Sequence, residues 1–83
     1  MIKGFNSDIV VKGKNYHVQS EDWGRDKASL VSRVFQNGAV IKTIKISYSE
    51  ALNSGPVNDT EALKQALRRK HTRVLDDLTA GRI

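Results

Sequence analysis

The stretch ASLVSRVFQNGAVIKTIKISY, residues 28–48, decides the fold. Asn37-Gly38 lies in its middle, and a two-residue type I′ turn needs positive φ at both central positions, which this pair tolerates well. Leu30, Val31, Val34 and Phe35 precede the turn, and Val40, Ile41, Thr43, Ile44 and Ile46 follow it. β-Branched and aromatic residues of this kind suit a pleated, half-buried surface. Residues 28–36 and 39–48 are therefore expected to be the third and fourth strands of a sheet. A two-residue turn pairs Gln36 with Ala39, Phe35 with Val40, Val34 with Ile41 and Arg33 with Lys42, and cross-strand partners share a face. That register puts Val31, Phe35, Val40, Ile44, Ile46 and Tyr48 on the core side, with Arg33 opposite Lys42 among them. Leu30, Ser32, Val34, Gln36, Ala39, Ile41, Thr43 and Lys45 fall on the other side. A slip of one residue exchanges the two sets.

Upstream, Ile9-Val10-Val11 reads as a first strand, and Lys12-Gly13-Lys14-Asn15 as a turn in which Gly13 and Asn15 tolerate positive φ. Tyr16 to Ser20 alternates as a second strand, and the charged stretch 21–27 reads as a loop around Trp23. Downstream, Asn53, Ser54, Gly55 and Pro56 mark a linker over 49–57. Leu63, Leu67, Val74 and Leu78 then recur at helical spacing, with Ala66 and Leu75 beside them. Asn58 stands three residues before Glu61, a capping-box spacing, and Gly81 is placed to end the helix. The expected fold class is α+β: a four-stranded antiparallel meander followed by one long C-terminal helix (ββββα). The sheet spans 5–48 and the helix 58–80 of one domain covering 1–83, because 83 residues hold only one core. One helix covers one face of such a sheet, so the opposite face must be polar, self-associated or occupied.

The chain is poor in reactive groups. It has no cysteine, so disulfides and thiolate chemistry are excluded, and its two histidines, His17 and His71, lack the neighbours a zinc site requires. The adjacent carboxylates Glu21-Asp22 and Asp76-Asp77 diverge in direction and make no acid–base couple. Lys12-Gly13-Lys14 lacks the spacing of a phosphate-binding loop. No catalytic residue, metal ligand, cofactor or small-molecule substrate is therefore expected. His71 falls on the apolar stripe of the helix, where a partly buried ring satisfied by backbone or a side chain is the expectation. There is no apolar run near the ~18 residues a membrane span needs, and no signal-peptide stretch follows Met1, so a cytoplasmic chain is expected.

Charge is the remaining signal. Fourteen basic and nine acidic residues give a net charge of +5. Residues 27–49 hold four basic groups and no acid, and residues 62–75 hold five and no acid. These two segments, one on the second hairpin and one on the helix, favour an anionic partner. Trp23, the single tryptophan, either folds back to cap the sheet or stays exposed as an anchor or stacking platform.

The stretch Tyr16-His17-Val18-Gln19-Ser20-Glu21-Asp22, continued by Val34-Phe35-Gln36-Asn37-Gly38 and Tyr48, resembles a family of short bacterial proteins. Those carry a Tyr-His-Val-Gln-Thr-Glu-Asp-like sequence, with Ser20 here replacing the threonine. The resemblance covers roughly residues 5–80 and implies a bacterial chain without implying an activity. In element order alone, ββββα is similar to the PC4, Whirly and PUR-repeat group, dimers that bind single-stranded nucleic acid. The expectation is thus a small homodimeric protein, without catalysis, that binds single-stranded DNA or RNA. Arg33, Lys42, Lys45, Lys64, Arg68, Arg69 and Arg73 would contact phosphates, and Trp23 would stack on a base. The alternative is a non-catalytic adaptor that docks on a protein partner through a sheet edge or its mixed face.

Overall fold

The structure, a computed structural model, describes residues 4–52 and 60–83. Four strands, β1 (Phe5–Val11), β2 (Lys14–Asp22), β3 (Ser29–Gln36) and β4 (Ala39–Ser47), precede a one-turn helix α1 (Tyr48–Ala51) and a long helix α2 (Thr60–Thr79). The strands lie in sequence order and each pairs antiparallel with the next, so the chain is an α+β ββββα meander.

Both hairpins close on two-residue turns. Asn37 and Gly38 have φ of 55° and 80°, as the type I′ reading requires. In the first hairpin Lys12 (φ 52°) and Gly13 (φ 80°) are the central pair. Asn15 is instead paired with Val10, so strand pairing starts earlier than the sequence reading placed it. Strand β2 likewise runs on through Glu21 and Asp22 rather than ending at Ser20.

The second hairpin departs from plain alternation. Gln36 pairs with Ala39 and Phe35 with Val40, but a bulge follows, and Val34 pairs with Lys42 and Arg33 with Thr43. Ile41 is the extra residue. The expected pairing of Arg33 with Lys42 is therefore corrected, and so is the face of β3. Leu30 and Val34 are fully buried and Val31 lies on the opposite side with Arg33 and Phe35. Ile44 and Ile46 keep their expected core-facing side, because the bulge shifts parity between the turn and the rest of β4. The shift also removes a directly opposed pair of like charges, which destabilises a ladder.

The sheet ends one residue earlier than expected. Ser47 caps α1, its hydroxyl accepting from the Glu50 backbone N–H at 3.1 Å while the Glu50 carboxylate accepts from the Ser47 N–H at 3.1 Å. The span read as linker from residue 49 thus begins inside this helix and passes through its C-cap Leu52, while residues 53–57 lie outside the described residues. So does Asn58, the expected cap of α2. At the other end, the Gly81 N–H donates to the Leu78 carbonyl and the Arg82 N–H to that of Asp77, a Schellman closure for which Gly81 takes φ 77°.

Helix α2 lies across the inner sheet face and buries Leu63, Ala66, Leu67, His71, Val74 and Leu78. Its N-terminal half joins Leu30 and Tyr48 in one apolar cluster, with Phe5, Ile46 and Leu52 packed around it. Its C-terminal half joins Val18 and Val34 in another, with Ile9, Tyr16 and Ile44 at the margin. Tyr48 ties α1 to the end of β2 by donating its hydroxyl to the Asp22 carboxylate. Burial, reinforced by that carboxylate, pushes the Tyr48 phenol up to about 12.

Two outcomes follow from this packing. Leu67→Ala should cost roughly 2–5 kcal/mol in urea denaturation, while Ile41→Ala, at the exposed bulge, should cost under about 1 kcal/mol. Stability from the neutral Tyr48 phenol is complete below pH 10 and is lost as pH rises through about 12. An absorbance titration should show a phenolate step near that value which Tyr48→Phe removes.

Candidate binding surface

Two groups of polar residues stand out, one inside the fold and one on its uncovered face. The inner group forms because Ser7, Ser20 and Ser32 occupy adjacent strands on the helix-facing side. His71 reaches down from α2 between them. Its Nε2 lies 2.8 Å from the Ser7 hydroxyl and its Nδ1 2.7 Å from that of Ser20, which is 2.7 Å from the Ser32 hydroxyl. A neutral ring has one donor and one acceptor nitrogen, so the hydrogen bonds can run in one direction along the whole chain. Histidine beside serine is also the pairing of nucleophilic catalysis. Here, however, Ser20 and Ser32 are 0% exposed and His71 is 6% exposed, so the ring and two of the three hydroxyls are shut off from solvent, with Ser7 half-buried at the end of the chain. The group is a satisfied polar seam between the two apolar clusters, as expected for His71 from its place on the stripe.

The outer group lies on the sheet face that α2 leaves uncovered. Register places Asp8, His17, Phe35 and Val40 in one row across the four strands. Gln19, Arg33 and Thr43 form the next row, and Glu21, Val31 and Lys45 the third. In the first row, His17 Nδ1 is 2.8 Å from an Asp8 carboxylate oxygen, and its ring is tilted against Phe35 with centroids 5.9 Å apart. These side chains, with Val10 and Asn15, line an open concavity of about 580 Å³.

The third row is covered by Trp23. Its indole N–H donates to Glu21 at 3.1 Å, and the Arg33 guanidinium and Lys45 ammonium stand 5.4 and 5.6 Å from the ring centroid. Both are at cation–π range. The ring thus spans from β2 to β4 across Val31, which is only 1% exposed although it lies on the face away from the helix. Trp23 caps the sheet and remains partly accessible, which joins the two readings its sequence left open.

Of the sequence-expected site residues, the fold brings three together: Trp23, Arg33 and Lys45. Lys64, Arg68, Arg69 and Arg73 are exposed along α2, on the far side of the molecule from that group. Arg73 reaches Asp77 at 3.5 Å. Lys42 is exposed and shares its parity with Val34, on the helix side of β4. The two acid-free segments therefore do not form one basic surface. Phe35, His17 and Asp8 lie outside the expected site: Phe35 because the register without a bulge puts it on the core side, and His17 and Asp8 because alternation alone gives β1 and β2 no face.

Among the described residues no cluster of His, Cys, Asp or Glu is arranged to hold a metal ion, and no helix is long and apolar enough to cross a membrane. Burial first, and the nearby charge of His17 second, hold the His71 ring below the usual histidine range. Between that lowered value and ~6.5 the unfolded chain binds more protons, so stability rises with pH. The contribution is complete above pH ~6.5 and is lost as pH falls through the folded-state value. Thermal melts from pH 7.5 to 5 should show the advantage of the native chain over His71→Gln shrinking with acid; a constant gap would contradict the burial of a neutral ring. The chain matches no family model, and no similar protein was found among curated sequences or solved structures.

Proposed function

We propose that the chain is a non-catalytic protein-binding module that works through the uncovered face of its sheet. The observation that carries this reading is the composition of that face. Phe35, His17, Val10 and Val40 offer apolar and aromatic contact, and two acids, Asp8 and Glu21, are interspersed with two bases, Arg33 and Lys45. A surface of mixed charge around an aromatic centre is the usual make-up of a protein interface, with Trp, Tyr, Phe and Arg as anchors and a polar rim. A phosphate-tracking surface would instead carry one sign of charge. Affinity capture from a nuclease-treated cell lysate tests the reading. Phe35→Asp should lose partners that Arg69→Glu, on the far side, retains. Equal recovery by both variants would overturn it.

Single-stranded nucleic acid is the second reading, supported by the two cations held against Trp23. In that case a labelled oligonucleotide would bind with an affinity that falls steeply between about 50 and 200 mM salt. Arg33→Ala and Lys45→Ala would each weaken it. Flat anisotropy at low salt would remove this reading and leave the first.

A further inference from the structure

We propose that the partner which seats on the uncovered sheet face is a second copy of this chain, related by a twofold axis that lays Asp8 of each copy on Lys45 of the other. This rests on the reading of that face as a protein-binding surface and names its occupant.

A twofold interface places one surface on an identical one, so it must be complementary to itself. Two features give this face that property. It is electrically balanced, with Asp8 and Glu21 against Arg33 and Lys45, so a copy of itself leaves no net charge between the sheets. Its outermost acid and base also sit at opposite corners. Asp8 is on edge strand β1 in the first row, and Lys45 is on edge strand β4 two rows away. Strand and residue spacings put them roughly 20 Å apart along a diagonal at about 45° to the strands.

A twofold axis lying between the sheets, across the middle of that diagonal, superposes each corner on its opposite. The acid meets the base twice in one operation. Because the diagonal is near 45°, the strands of the two sheets then cross at close to a right angle, an orthogonal sheet packing. Both charges are within reach of a partner. Asp8 is 87% exposed in its side chain and, among the described residues, tied to His17 alone. Lys45 is exposed, has no carboxylate partner among the described residues, and would exchange its contact with the Trp23 ring for the partner's acid. Between the corners lie Phe35 and Gln19, the contact centre, with the Arg33 guanidinium drawn aside onto Trp23, and the exposed Val40 is brought under cover with them.

Four strands span about 19 Å and seven residues about 23 Å, so two faces crossed at a right angle overlap over roughly 370 Å² per copy before side-chain relief, at the low end of interface sizes. An interface at this lower limit implies a dimer of modest affinity, to which paired corner charges make a measurable difference.

Sedimentation equilibrium of the purified chain from about 5 to 500 µM tests the proposal, with circular dichroism confirming that each variant is folded. The native chain should dimerise. Asp8→Lys and Lys45→Asp should each raise the dissociation constant about tenfold, because every substitution sets like charges together at two places. The double variant carrying both changes should recover most of the native affinity. A native dimer indifferent to both single changes, or a double variant no better than either one, overturns the proposed pairing. A native chain that stays monomeric throughout overturns the second copy as occupant. The protein-binding reading then survives if Phe35→Asp still loses captured partners, and fails with it otherwise.

Discussion

One extra residue in β4 determines how the hairpin meets the helix. With Ile41 set outside the ladder, Val34 pairs with Lys42 and everything beyond keeps that offset. Leu30, Ser32 and Val34 then share a side with Ile44 and Ile46, which is the side α2 needs to bury. Without the offset, β3 keeps the face its ladder to β2 sets and β4 would present Thr43 and Lys45 inward, so the Lys45 ammonium would have to be taken from water beneath the helix. Burying an unpaired charge costs far more than a bulge, which loses only local pairing. The bulge is therefore what allows Ile44 and Ile46 to face the helix while Lys45 faces outward.

The inner face has its own constraint in His71. A core of this size built only from Leu and Val would let α2 slide or rotate with modest loss, because apolar contact is non-directional. The ring of His71 accepts only a position between Ser7 and Ser20, each within 2.8 Å. Its partners sit on β1 and β2, and Ser32 extends the chain to β3. Three strands are thereby referenced to one side chain of the helix. Satisfied buried polar groups of this kind specify an arrangement more than they stabilise it. Breaking the seam is costly because His71 and Ser20, both buried, would each lose a hydrogen-bond partner with no water at hand to replace it.

Much of this architecture was legible in residue order. Asn37-Gly38 marks its turn by backbone chemistry alone, and the 3.6-residue spacing of Leu63, Leu67, Val74 and Leu78 marks the helix. The element order followed from those two signals and from short connections. The bulge was not legible, because Ile41 is β-branched like Val40 and nothing local separates an extra strand residue from a paired one. The face assignment of β3 failed with it. The serines around His71 were hidden for a different reason: Ser7, Ser20 and Ser32 are unremarkable singly and become a set only when three strands are in register. Basic residues were visible as two runs, but a run along the chain carries no information about which side of a sheet it reaches. That is why Lys45 and Arg33 meet at Trp23 while Arg68 and Arg69 lie on the far side.

The meander has a kinetic consequence. Every strand pairs with its sequence neighbour, so each ladder closes over a two-residue turn or a short loop at little entropic cost. Only the docking of α2 on the sheet is distant, and the hydrogen bonds from Ser7 and Ser20 to His71 span 64 and 51 residues. Contacts that close long loops form late, so the seating of α2, and with it the tie from α2 to β1, comes among the last steps. Once folded, β1 is held on one edge only, and its release would leave the hydrogen-bonding groups of β2 open to another chain. The histidine that orders the core thus also latches the first strand, and slow amide exchange in β3 beside faster exchange in β1 is the native-state signature of that arrangement.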